Sequence, residues 1–416
     1  MKIICDRAAL LEAVNVVAAV VPQRSPSPAL SCVKLTAGKN GNVGELTLAG
    51  TDAETSVQLT IHQVDVSQTG VAIVPAHKLQ QIVGGLDQSD PTVTLELDGE
   101  QCSIKGANSR FKVFTYPAAD YPPLPDFAAV VGGSAPQPAR AVFTHQAGPL
   151  LRLIARTVFA TARETSRYAI NGVLMKRDGK RLEMVATDGR RLARCATSVK
   201  ADAAAKEAGP TQCIVPTKAL NLLQRLAGDP DGALQVAITD NRVFFGIHHP
   251  AMAEGKGKKG GGGGGGGAEG AVGPLKAVLS SALVEGQFPP FEDVIPKDSD
   301  KKITATTEGL SRAVRQAAVL TNEESRGVKM AFSSKAKKVR LSSRAPEMGE
   351  SEVDCDLSEY VGDDIEISFN PQFITEALKA VDEPEVTLEM KAPNKPGLLR
   401  AGSDFLYVVM PVNLPA

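Results

Sequence analysis

One pattern occurs three times along this chain, and the repetition limits the fold more than any other feature, because each copy has to build the same kind of core. The first copy reads as a strand over 2–5, Asp6 as a helix cap, and Leu10, Val14, Val17 and Val21 at helical spacing. The order returns at Ala141-Val142-Phe143-Thr144 with Leu151, Ile154 and Val158, and again over 302–306 with Leu310, Ala313, Val314 and Ala317. A second strand-helix unit follows in each copy. It begins at Val71-Ala72-Ile73-Val74, at Cys213-Ile214-Val215 and at Ile367-Ser368-Phe369. Counted from Pro75, Pro216 and Asn370, the apolar positions fall at the same offsets: Leu79, Ile82 and Leu86; Leu220, Leu223 and Ala227; Ile374, Ala377 and Val381. Extended runs close each copy, at 92–97 and 111–116, 234–238 and 243–247, 386–390 and 406–410. The pattern predicts an α+β chain of three tandem similar domains with helices on one side of antiparallel sheets.

Proline-rich links over 122–138 and 289–296 set the expected boundaries, giving domains 1–136, 137–297 and 298–416. Within the second, an insertion of about 251–273 carries the run Gly260–Gly267. It lacks the spacing and the Ser/Thr of a phosphate-cradling loop, so it reads as a flexible surface insertion.

The stretch 168–192 reads as two apolar runs joined at Asp178-Gly179, ending at a second turn, Asp188-Gly189, before Arg190, Arg191 and Leu192. Taken alone this is a hairpin with a charged tip. It also places two guanidinium groups beside an apolar residue, a patch suited to a partner's apolar side chain and carboxylate. Thr51-Asp52 and Thr187-Asp188 occupy matching repeat positions, which favours a structural turn over a catalytic carboxylate.

Charge is sorted, not abundant. The chain has 46 basic and 47 acidic residues, net -1, over 416 residues. Yet the repeated helical windows carry Arg7, Lys78, Arg152, Arg156, Lys218, Arg225, Arg312, Arg315 and Lys379 against Asp6, Glu12, Glu308 and Glu376. Each arginine taken singly is a solvated helix residue; together they suggest a surface facing a polyanion. Spread basic charge without base-reading side chains binds phosphates without sequence preference, which permits sliding. Aromatics make up 4% and Trp is absent, which argues against base stacking.

Catalytic motifs are lacking. The histidines His62, His77, His145, His248 and His249 have no partners at ligand spacing, and no nucleophile elbow, dinucleotide fingerprint or Walker loop occurs. No catalytic residue, cofactor or metal is expected. The six scattered cysteines read as small buried hydrophobes in a reducing compartment. No apolar run is long enough to span a bilayer, and residues 1–6 lack a signal-peptide pattern, so the expectation is cytoplasmic, with no membrane partner.

Several longer motifs resemble one family, the bacterial replicative sliding clamps that form the beta subunit of DNA polymerase III. They are Phe-Thr-Tyr-Pro-Ala-Ala-Asp-Tyr-Pro over 114–122, Arg167-Tyr168 with Asn171-Gly172, and Val-Ala-Thr-Asp-Gly-Arg-Arg-Leu over 185–192. Gly-Gln-Phe-Pro over 286–289, Asn322-Glu323 with Arg326-Gly327-Val328, and Tyr-Val-Val-Met-Pro over 407–411 follow in the same order. The resemblance implies a DNA clamp fold: two chains closed head to tail into a ring, helices lining the hole and sheets outside. It implies a processivity factor that encircles double-stranded DNA near the nucleoid and tethers the replicative polymerase, the clamp loader and repair proteins through short linear peptides.

Carried over by position, the peptide pocket has an apolar wall of Ile170, Leu192, Pro289, Val294, Val408, Met410 and Pro411. Thr187, Gly189, Arg190 and Arg191 form its rim, and Asn370 and Phe373 its far side. Asp293 and Asn413 stand where arginine is common, and Ser325 where an aromatic sits; Asp293 disfavours acidic peptides. For DNA the resemblance gives Arg24, Arg167 and Tyr168, with Glu164 a departure, beside the helical cations. For the homodimer interface it gives Phe111 against Val319 and Leu320, and Lys78 fits either that interface or the channel. Two other readings stay open on the residues: a clamp paralogue that binds peptides without encircling DNA, and an enzyme built on the repeat.

Overall fold

The computed structural model describes all residues except 42, 163–168, 200–209, 250–272, 322–326, 346–347 and 414–416. The run of glycines and the expected contacts Arg167 and Tyr168 lie outside the described residues, as do Glu164 and Ser325. The helices are α1 (Arg7–Ala18), α2 (Ala76–Gly84), α3 (Phe127–Gly132), α4 (Ala147–Ala155), α5 (Thr217–Leu226), α6 (Thr307–Ala317) and α7 (Pro371–Lys379). No described helix is long and apolar enough to cross a membrane.

The strand-cap-helix units form where the spacing puts them. Asp6 accepts a hydrogen bond from the Ala9 amide at 2.8 Å and heads α1, whose Leu10, Val14 and Val17 are buried. Thr306 caps α6 and Asn370 caps α7 in the same way, and Leu310, Ala313, Val314 and Ala317 on α6 are all buried, as expected. At α4 two of the three expected positions stand one residue too late. Leu150, Leu153 and Ile154 are the fully buried residues, while Leu151 and Val158 are half-buried. The helix starts at Ala147, so Leu150, Leu153 and Ile154 stand where Leu10, Ala13 and Val14 stand in α1 and Leu310, Ala313 and Val314 in α6, and the repeat keeps its register. On α2, Val83 and not Ile82 is buried.

The described chain falls into two compact units. The first holds described residues of Met1–Pro149 and Lys218–Leu283; the second holds those of Leu150–Val199, 210–217 and 284–413. The division runs through the middle repeat because that repeat supplies strands to two sheets. In the first unit, Ala141–Gln146, Ala233–Ile238, Arg242–His248 and Leu275–Ala282 continue into Thr55–Ile61, Val43–Thr51, Cys32–Asn40 and Gly70–Pro75 as one eight-stranded sheet. A five-stranded sheet accompanies it. In the second unit, Gly172–Asp178, Arg181–Thr187 and Arg191–Ser198 continue through Phe405–Val409 into a nine-stranded sheet, beside a sheet of four strands. The pairings are antiparallel.

The 122–138 link is more ordered than its proline content predicts. Asp126 caps α3, and Phe127 and Val130 bury themselves against Ala237, Phe244 and Val278 of the eight-stranded sheet. Gly246 makes room: a Cβ there would clash with the Phe127 ring. Tyr121 is buried too, its hydroxyl donating to the Ala49 carbonyl at 3.0 Å. A patterned Phe and Val amid prolines is enough to dock a segment as a short helix.

The two Thr-Asp turns are the same object built twice. In Thr51–Thr55 the Thr51 hydroxyl donates to Thr55 O at 2.9 Å, and Asp52 Oδ1 accepts from the amides of Glu54 and Thr55. In Thr187–Arg191 the Thr187 hydroxyl donates to Arg191 O at 2.6 Å, and Asp188 Oδ1 accepts from the amides of Arg190 and Arg191. The central residue is left-handed in both, Ala53 at φ 79° and Gly189 at φ 85°. Both carboxylates are therefore structural.

Candidate functional site

At residues 191 and 192 one strand serves two faces of the nine-stranded sheet, because neighbouring side chains in a strand point opposite ways. Leu192 stands opposite Val408, and Val408 opposite Leu398 on the next strand. This row belongs to a cluster with Leu174, Val185, Ile214, Phe291 and Leu406, against which Val284, Phe288 and Ile295 also pack. It forms an apolar face in the second unit. Met410 follows the strand, its amide donating to Arg190 O at 2.9 Å, and is 42% exposed; Val294 is 49% exposed. Ile170, Pro289 and Pro411 are half-buried. Gly189 and Arg190 are exposed at the turn.

Arg191 points through the other side. It is 8% exposed, its Nε bonds Asp188 at 3.0 Å, its Nη2 donates to Phe159 O at 2.7 Å, and its Nη1 pairs with Glu376 on α7. The guanidinium lies 4.4 Å from the Phe373 ring centre and 5.5 Å from that of Phe159. Burial works against its charge, but Glu376 and Tyr407 together more than restore it, so its pKa ends above the ordinary arginine value. Thr187 is buried as well, spent on the turn. Thr187 and Arg191, expected at a pocket rim, are thus both largely buried and engaged in structural bonds, and Arg190 is the exposed cation at this turn. Asn370 is committed to capping α7, and Phe373 lies beneath the arginine.

The sequence reasoning did not find Phe291, Leu398 or Leu406, which complete the apolar face, nor Glu376 as the partner of Arg191. Leu406 carried a usable signal, since it lies two residues from Val408 and so shares its side of the strand.

Arg24, in the loop after α1, and the helical cations Lys78, Arg152, Lys218, Arg225, Arg312, Arg315 and Lys379 are exposed. Arg7 is half-buried and donates to the carbonyls of Asp90 and Gln88. In the second unit Arg312, Arg315 and Lys379 line one groove between α6 and α7. Arg156 is the exception. It is fully buried, with Nη2 on the Glu383 carboxylate at 2.7 and 2.8 Å and Nη1 on Asp404 at 3.3 and 3.4 Å. Lying just beyond the end of α4, it turns inward to hold two acidic side chains and cannot face a polyanion.

Two sheets end in strands that have no further strand partner among the described residues, one rich in basic and one in acidic side chains. Arg110–Phe114 closes the five-stranded sheet with Arg110 and Lys112 exposed, beside Phe111 at 39% and Phe114 at 73% exposure. Gly349–Asp356 closes the four-stranded sheet with Glu350, Glu352, Asp354 and Asp356 exposed, each in a surface ion pair with Arg344, Arg340 or Lys338 of the neighbouring strand. In the same unit, Val319 is 71% exposed, Met348 66%, and Leu320 half-buried. Unpaired edges of this length are templates for pairing with another strand.

Three family models match the chain in succession: the N-terminal domain of the DNA polymerase III beta subunit over residues 1–125, its central domain over 146–253 and its C-terminal domain over 292–413. The chain is 30% identical to the beta sliding clamp of Pseudomonas putida and 29% identical to that of Escherichia coli strain K12, each match covering all of both chains. Among solved structures it is similar to the DNA polymerase sliding clamp of Pseudomonas aeruginosa with ligand, at a TM-score of 0.80, 29% identity and full coverage of both chains. It shares the fold of the sliding clamp of Bacillus subtilis at a TM-score of 0.82, 23% identity and full coverage.

Proposed function

The chain belongs to the DNA polymerase III beta subunit family, and on that premise we propose that it acts as a DNA sliding clamp: a non-catalytic processivity factor that encircles double-stranded DNA and slides without reading its sequence. The observation that carries ring closure is the chemical match of the two free edges. A basic strand flanked by exposed Phe111 and Phe114 and an acidic strand accompanied by exposed Val319 and Met348 suit a head-to-tail pairing of two copies, which extends both sheets and removes both edges. Phe111, Val319 and Leu320 serve this contact, with Lys78 at its margin or in the channel.

The exposed cations Arg24, Arg152, Lys218, Arg225, Arg312 and Arg315, with Arg7 less accessible, contact DNA phosphates. The apolar face around Leu192 and Val408, with Met410, Val294, Pro289, Pro411 and Ile170, takes short linear peptides from the replicative polymerase, the clamp loader and repair proteins. Gly189 and Arg190 stand beside it at the turn. The chain is organised as three tandem clamp domains, 1–136, 137–297 and 298–416, and works in the cytoplasm at the nucleoid.

The edge pairing has a direct test. Reversing Arg110 and Lys112 to Glu places like charges across the contact, and light scattering is expected to report a monomer where the parent chain is a dimer. A parent chain that is already monomeric, or a charge-reversed chain that stays dimeric, contradicts the reading.

A further inference from the structure

The turn beside the apolar face has its twin in the first unit, and the strands that leave the two turns pair in the same way. Leu192 stands opposite Val408; the corresponding places are Ser56 opposite Ser280. Where one copy has an apolar row, the other has two hydroxyls, 3% and 1% exposed, bonded to each other at 2.8 Å. The same repeat position has thus been turned from apolar to polar.

Arg242 lies against this pair. Its Nη2 donates to Glu54 O at 2.7 Å and to Ser280 Oγ at 3.3 Å, and its Nε is shielded from solvent with no partner. It forms no ion pair among the described residues. Asp52, the acid whose field reaches it, is held by Lys218 and by the amides of the turn. Burial lowers the Arg242 pKa below the ordinary arginine value, the reverse of Arg156 and Arg191, which have carboxylate partners. A partly desolvated guanidinium without a counter-ion is costly, and an incoming anion removes that cost.

We propose that this polar counterpart of the apolar face is an oxyanion site, in which the guanidinium of Arg242, aimed by Ser280 and the Glu54 carbonyl, takes a carboxylate or a phosphate. Arginine's planar fork suits both groups. The site lies within the first unit and does not depend on the clamp reading.

Calorimetric titration of the full chain at low chloride tests this, with sodium phosphate in one arm and N-acetylglutamate amide in the other. The expected result is a saturable one-to-one step that weakens at least tenfold in Arg242→Gln and a few-fold in Ser280→Ala. It is unchanged in Lys39→Gln, which removes an exposed cation elsewhere in the same unit. Saturation by phosphate alone assigns a phosphate site; saturation by the glutamate derivative assigns a carboxylate site. If Arg242→Gln does not fold, Arg242→Lys keeps the charge, loses the fork and carries the same expected loss. No saturable step in either arm, or a step that survives in both Arg242 variants, overturns the proposal.

Discussion

Leu192 and Val408 face each other across an antiparallel strand pair, 2% and 3% exposed, at the centre of the apolar cluster of the second unit. Buried groups of this kind shape a docking face, but the affinity an incoming peptide gains has to come from apolar surface still in water. Met410, 42% exposed, is the clearest such group. Met410→Ala is expected to weaken a labelled peptide from the cognate polymerase by about 1–2 kcal/mol, roughly 5- to 30-fold, with the melting temperature unchanged. Fluorescence anisotropy reads the affinity; an unchanged Kd would remove Met410 from the face.

Two adjacent arginines should behave as opposites. Arg191→Ala strips a buried guanidinium from Asp188, Glu376 and Phe159 O and leaves acids without their partner, a loss of about 3–5 kcal/mol. Arg190→Ala, on an exposed side chain, stays within about 0.5 kcal/mol. Urea denaturation separates them, and similar midpoints for the two would contradict the buried placement of Arg191.

The Arg156 cluster gives the second unit a dependence on acid. Glu383 is partly buried, which alone would raise its pKa, but the bonds from Arg156 bring it below the usual 4.5. A carboxylate with a depressed folded pKa contributes stability that is complete above its unfolded value and is lost as pH falls through the folded one. Stability of the second unit is therefore expected to fall as pH drops below 4.5, and Glu383→Gln, weaker at neutral pH, should show a flatter acid limb. Parallel limbs for the two proteins would rule out this source.

The twin turns also make a conformational prediction. Ala53 holds φ 79° where its counterpart Gly189 holds φ 85°, and the left-handed region costs a residue with a Cβ about 1 kcal/mol. Ala53→Gly should stabilise the first unit by about that much, less the extra freedom glycine gains when unfolded. A loss of stability on differential scanning would contradict the strain at Ala53.

Local signals in the sequence carried far. Asp6 caps the helix it precedes, and the period of Leu310, Ala313, Val314 and Ala317 is the buried face of α6. The Thr51-Asp52 and Thr187-Asp188 repeat marks two turns with the same hydrogen bonds. What was not legible depends on distant partners. Arg156 and Arg191 read as exposed cations because Glu383, Asp404 and Glu376 lie some 185 to 248 residues away and only folding brings them together. Alternation along the strand does separate Arg191 from Leu192, and that signal was present in the sequence. The α3 segment was hidden by its prolines, and its docking over Gly246 depends on a strand more than a hundred residues later.

Encirclement is the central claim, and retention on DNA tests it most directly. After loading by a cognate clamp loader onto nicked circular DNA, the chain should remain bound through gel filtration at high salt and leave promptly when the circle is cut to a linear form. Equal release from circular and linear DNA would mean that the two edges do not close a ring around the duplex.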